Sequence, residues 1–198
     1  MEALKHGMRL GDSMPPQRFA VLSSARALLI LLVLFTKMSL VSQGSLREAD
    51  AKAALLYNFA KFTTWPHSAF ETTHSPLIIG VIGPHQFGRT LKRFEGKRVK
   101  GRTIEIRFFK DAKDYTKSHI LFCDVASADQ FHQLLDELEL EKNHVLTVGD
   151  LGQFAASGGI LGIKFRGDRL ALELNLQAAK RARIFLSENL IRLTEKVN

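Results

Sequence analysis

The sequence predicts an α/β fold, a single domain with a mixed sheet of about six strands flanked by about five helices. Three observations carry this reading. Short apolar runs at 77–82, 119–125 and 145–148 have the length and character of buried strands. Ile104, Ile106 and Phe108 alternate with Glu105 and Arg107, which gives a strand with one wet face. Between the runs, apolar residues recur at helical spacing, so helices cover a sheet.

Taken in order, Leu46, Ala49, Ala53, Leu56 and Ala60 recur at steps of three and four, the stripe of an amphipathic helix. Leu55, Phe59 and Phe62 widen the stripe until most of that helix must be covered. Trp65-Pro66 ends it, because proline disfavours helical backbone in the residue before it. The strand at 77–82 is closed by Gly83-Pro84, a short helix follows over 87–94, and 96–101 is a basic turn. After the alternating strand come the buried run at 119–125 and a helix over 128–140 carrying Phe131, Leu134, Leu135 and Leu138. The strand at 145–148 leads through Gly149-Asp150 into a short segment ending at Ser157-Gly158-Gly159. Two further runs, 160–165 and 170–174, flank Arg166-Gly167-Asp168-Arg169, which is hairpin chemistry because glycine accepts a positive φ. The last helix starts near Leu176 and sets Ala179, Ala182, Leu186, Leu190 and Leu193 on one face.

The 198 residues hold 28 Lys+Arg against 20 Asp+Glu, a formal charge of +8, with 45% hydrophobic residues, which is the composition of a folded protein. A basic leader with Lys5, Arg9, Arg18 and Arg26 precedes nine apolar residues, 27–35, and small residues at Ser42 and Gly44. That sequence of features predicts a secretory signal peptide over 1–44, cleaved near Gly44. A membrane anchor is the alternative, but a span needs about 20 apolar residues and Lys37 interrupts this run. Residues 45–198 then form the mature domain, with 23 basic and 18 acidic residues. For an exported protein that modest excess would matter near anionic lipid or an acidic partner and nucleic acid is not expected, but charge alone decides nothing.

Several chemistries are excluded. Gly83-Pro84-His85-Gln86-Phe87-Gly88-Arg89-Thr90 has phosphate-loop spacing after a strand, and Asp124 ends a strand that could hold magnesium. Arg89 nevertheless stands where the compact lysine charge belongs, and Pro84 removes a backbone N–H. The turn therefore reads as structural, and a nucleotide hydrolase is set aside. The seven histidines show no i, i+4 pairing, so no metal is expected, and no G-x-S-x-G motif exists. Cys123 lies mid-strand, where an inert buried thiol is expected. No catalytic residue and no cofactor are assigned; the chain does not read as an enzyme. Lys180, Arg181, Arg183 and Arg192 crowd the last helix, as solvated charge or as a patch for a partner or lipid. Arg89, Arg166 and Arg169 are the cations proposed for an anionic ligand or partner.

Three stretches together resemble one known family. The first is Lys52-Ala53, then Asn58-Phe59, Lys61-Phe62 and Trp65-Pro66; the second is 146–150 ending in Gly149-Asp150, with Phe154 and Gly158-Gly159. The third runs from Glu173-Leu174-Asn175 through Ala178-Ala179 to Ser187, Leu190 and Leu193. In this order and over 52–193 they resemble the YfiR-like family of periplasmic regulators. The resemblance implies a periplasmic, non-enzymatic protein, often dimeric. Its partner would be an inner-membrane diguanylate cyclase that it represses, lowering cyclic di-GMP and biofilm formation. The alternative is a periplasmic small-ligand sensor acting on another membrane receptor such as a histidine kinase. The motif residues read as structural: Phe59, Phe62 and Trp65 in the core, Gly158-Gly159 as backbone geometry, Asn58 and Asn175 bonded to nearby backbone. One departure stands out. Many members carry cysteines at the positions of Gly80 and Ser118, so a bridge found there in the family is lost here as a unit.

Overall fold

A computed structural model of the chain describes residues 47–84, 87–166 and 169–197, with the backbone alone at Arg166 and Arg169. They belong to a compact unit spanning Leu46–Asn198. The leader read over 1–44 lies outside the described residues.

Helix α1 covers 47–62 and buries Ala53, Leu56, Phe59 and Ala60, the stripe read from the sequence. It stops three residues before Trp65-Pro66, because the β-branched pair Thr63–Thr64 extends as β1 and pairs antiparallel with β9, Phe185–Leu186. The remaining strands are β2 (Leu77–Ile82), β3 (Arg98–Val99), β4 (Arg102–Phe109), β5 (Ile120–Cys123), β6 (Leu146–Gly149), β7 (Leu161–Arg166), β8 (Arg169–Asn175) and β10 (Glu195–Val197). They form an eight-stranded sheet in the order β10-β8-β7-β6-β5-β2-β4-β3.

All six strands expected from the sequence are present. The two additions, β3 and β10, are the sheet's edge strands, only two and three residues long, and mostly polar. Strands β4, β2, β5, β6 and β7 are mutually parallel; β8 returns antiparallel through the hairpin at Arg166↔Arg169, and β10 lies parallel to β8. Strand β2 is buried along its whole length, as a central parallel strand must be.

Helices cover both faces. Helix α2 (Gly88–Lys92) buries Leu91, and α4 (Leu176–Arg181) buries Ala178 and Ala179, on the face shared with α1. Helix α3 (Ala128–Glu137) buries Phe131 on the other face with Ile82, Leu121 and Phe154. Ser127 caps α3 by accepting from the Gln130 N–H.

The expected long C-terminal helix is not formed. Helix α4 ends at its cap Ala182, Arg183 takes φ 54°, and the chain extends through β9 before Ser187 caps α5 (Glu188–Arg192). The break lets Ile184 reach the core and the Ile184 N–H donate to the Ala179 carbonyl. Continued as one helix, 176–193 would have left the β1 edge unpaired.

Candidate functional site

The segment after β8 is positioned by Asn175. Its Oδ1 accepts from the Ala178 N–H at 2.9 Å, capping α4, and its Nδ2 donates to the Ala155 carbonyl at 2.9 Å. A buried amide thus ties the start of α4 to the turn that follows β6. In that turn Phe154 is fully buried and its ring lies where a Cβ on Gly149 or Gly159 would stand, 2.4 and 2.2 Å away. Glycine is therefore required at both positions for ring and backbone to approach. Asp150 pairs with Lys52, which also holds Glu48 at 2.7 Å. Burial lowers the Lys52 pKa, but its bonds to Asp150 and Glu48 outweigh that and raise it above the ordinary value. Motif residues from distant parts of the sequence are thereby joined.

Beyond this framework, α4, α5, β9 and Pro66 line an open groove of about 460 Å3. Its walls are apolar, with Pro66, Leu176, Ile184 and Ile191 among them, and Lys180 and Arg183 are also in its lining. Neither cation is ion-paired among the described residues. Phe185 lines the groove yet is 67% exposed, and Phe62, at the other side of the β1–β9 ribbon, is 38% exposed. The Ser187 N–H donates to the Phe62 carbonyl at 2.8 Å, which continues the backbone pairing of the ribbon by one residue. An apolar groove with a projecting phenylalanine and two cations in its lining fits a protein partner that offers an apolar anchor and carboxylates.

Not every expected residue behaves as read. Phe62 was expected in the core and is instead partly exposed, because α1 ends there and the chain turns into the ribbon. Asn58 was expected to bond backbone; it is exposed on the outer face of α1, and no side-chain hydrogen bond holds it among the described residues. Phe59 and Trp65 are buried, and Trp65 Nε1 donates to the His119 carbonyl at 3.1 Å. Lys61 lies 4.2 Å over the Tyr57 ring. Pro66 lines the groove, and Gly158 takes φ 96°. Arg89 is exposed on α2, and Arg166 and Arg169 face each other across the β7–β8 turn, their side chains outside the described residues. None of the three lines the groove. Phe185 was missed because the sequence places it inside a helix; Ser187, a strong N-cap residue, was the available signal for the break.

No catalytic arrangement emerges among the described residues. The Cys123 thiol is buried and burial pushes its pKa up, so it stays protonated. No group of described His, Cys, Asp or Glu residues could hold a metal ion, and no described helix is long and apolar enough to cross a membrane.

A family model described as YfiR/HmsC-like matches residues 49–195. No curated protein matches the chain. Among solved structures, an ABC domain in complex with L-Trp from Streptococcus pneumonia is 9% identical with a TM-score of 0.44, covering 61% of this chain and 55% of that one. A conserved domain protein from Vibrio cholerae O1 biovar El Tor is 13% identical with a TM-score of 0.44, covering 62% and 55%. The chain therefore spans just over half of either structure.

Proposed function

The chain belongs to the YfiR/HmsC-like family, and on that premise we propose that it is a periplasmic, non-enzymatic regulator that represses an inner-membrane diguanylate cyclase by binding its periplasmic part. The observation that supports a docking role is Phe185, 67% exposed on an apolar groove with Lys180 and Arg183 also in its lining. An exposed aromatic that adjoins an apolar groove forms a contiguous patch of the kind that marks interaction sites, and buried aromatic anchors dominate interface energetics.

Repression has a simple physical form. The regulator binds the inactive conformation of the receptor more tightly than the active one, and only that difference shifts the equilibrium. A hundredfold preference corresponds to about 2.7 kcal/mol, within reach of one buried aromatic anchor. The framework of Asn175, Lys52–Asp150 and Phe154 would hold the groove rigid, so little binding energy is spent on ordering it.

The test is made in cells. Deleting the gene should raise cyclic di-GMP, and Phe185→Asp should raise it to the same level while the protein accumulates normally, since Phe185 contributes little to the core. If Phe185→Asp leaves cyclic di-GMP at the parental level, the groove is not the docking surface. If deletion itself has no effect, the chain does not repress a cyclase. Recovery of a histidine kinase in place of a cyclase would redirect the same docking surface to a sensor role.

A further inference from the structure

The parallel strands stand in the spatial order β4-β2-β5-β6-β7. From β2 the chain crosses to β4 on one side, whereas from β5 it crosses to β6 on the other. The crossovers also take opposite faces, α2 packing in the cluster with Leu91 and α3 in the cluster with Phe131. In open α/β sheets such a reversal leaves a crevice outside the carboxyl ends of the two strands, and ligands bind there.

Here that crevice is a cavity of about 620 Å3. Gly83 enters it directly after β2, Lys110 and Lys113 after β4, and Val125 after β5, with Leu134 and Glu137 of α3 closing it. Gly83 has φ 115°, and a Cβ there would lie 2.2 Å from the Asp124 carbonyl oxygen, so the wall depends on this glycine. Its surface is mostly apolar, with Ile82, Val125 and Leu134 contributing. The lining carries both signs: Lys110, Asp111 and Lys113 follow β4, Asp124 follows β5 and Glu137 lies on α3, and Lys110, Lys113 and Glu137 are not ion-paired among the described residues.

Of the described residues in the phosphate-loop spacing at 83–90, the two that enter the crevice offer no free backbone N–H. The Gly83 N–H donates to the Phe109 carbonyl at 3.1 Å, the Asp124 N–H to the Ile82 carbonyl at 2.9 Å, and Pro84 has none. The Asp111 and Asp124 carboxylates also line the cavity and would repel a polyanion. What suits a mostly apolar crevice lined by both ammonium and carboxylate groups is a molecule that carries both charges itself. The crevice is open to solvent, and its volume lies in the range of small-ligand clefts, with room for more than a single small side chain.

We propose that this switch-point crevice binds a short zwitterionic peptide with apolar side chains, its carboxylate held by Lys110 and Lys113 and its ammonium by Glu137. The crevice shares no lining residue with the groove at Phe185, so each proposal stands or falls by its own test.

The experiment is isothermal titration of leucyl-leucine, free leucine and acetyl-leucyl-leucine-amide into protein purified from cells expressing the full chain. The dipeptide should bind, with leucine and the doubly blocked peptide each at least tenfold weaker. Lys110→Ala with Lys113→Ala, and separately Glu137→Gln, should each weaken the dipeptide about tenfold or more, as expected for loss of a charge-assisted hydrogen bond. These side chains are exposed, so the variants should melt with the parent. Absence of dipeptide binding at millimolar concentration would overturn the proposal. So would equal binding by leucine or by the blocked peptide, or affinity unchanged in both variants.

Discussion

His119 is held in the core by three contacts, and a second ring proton would disrupt the one that Nδ1 accepts. Its Nδ1 accepts from the Ile78 N–H at 2.9 Å, its Nε2 lies 3.2 Å from the Ala69 carbonyl and so carries the proton, and its ring stacks on Phe70 with centroids 4.4 Å apart. Burial pushes its pKa down from 6.5 to about 4, against the opposing bond to Ala69. The folded value lies below the unfolded one, so between pH 6.5 and 4 the unfolded chain binds more protons. The stability contributed by neutral His119 is therefore complete above pH 6.5 and is lost as pH falls toward 4. The gap is worth about 3 kcal/mol, a large share of the stability of a small domain.

The assay is urea unfolding followed by the fluorescence of Trp65, the single tryptophan, at pH 7.5 and at pH 4. Carboxylates also titrate in this range, so the parent is compared with His119→Asn, which keeps an acceptor toward Ile78 but cannot titrate. The variant should be less stable than the parent at pH 7.5, yet lose about 3 kcal/mol less on acidification. Equal losses in the two proteins would refute the reasoning, because the pH dependence would then arise elsewhere.

Three further outcomes follow from the packing. Gly159→Ala should lower stability by about 3 kcal/mol, seen as a fall in Tm of roughly 6–12 °C, because Phe154 is packed against Phe131 at 4.3 Å and cannot yield; an unchanged Tm would mean the ring has room. Asn175→Ala should cost about 2 kcal/mol in urea unfolding and Asn175→Asp about half that, since aspartate keeps the cap and loses only the donor to Ala155; equal costs would contradict the dual role. Gly80→Cys with Ser118→Cys should oxidise to a bridge, shown by loss of free thiols, because a Cβ on Gly80 would stand 3.1 Å from that of Ser118. The gain should fall short of about 2–4 kcal/mol, because the Phe109 ring, 2.8 Å from the new Cβ, must move; thiols that stay free under oxidant would rule the juxtaposition out.

Much of the sheet was legible because its central strands are continuous apolar runs bounded by turn residues, as Leu77–Ile82 is by Gly83-Pro84. Arg98–Val99 and Glu195–Val197 were not, since edge strands this short and polar carry no periodic signal. The C-terminal break was hidden for the opposite reason. Ala179, Ala182, Leu186 and Leu190 keep helical spacing straight across it, and the positive φ at Arg183 leaves no trace in residue type. That one misreading concealed Phe185 and with it the groove. Asn58 shows the limit of reading a polar residue within an apolar run, since which side of the helix faces water depends on the packing of α1. The crevice at the carboxyl ends of β2, β4 and β5 was out of reach for a different reason. Lys110, Asp124 and Glu137 are brought together only by strand order, which is a tertiary fact.

The claim that matters most is that the chain meets a membrane receptor through Phe185. A photo-crosslinking phenylalanine analogue placed at position 185, with a control at the exposed position 129 on α3, tests it in intact cells. The account predicts an adduct with an inner-membrane diguanylate cyclase at 185 and none at 129. No adduct with a membrane signalling protein at 185, or equal adducts at both positions, would contradict it.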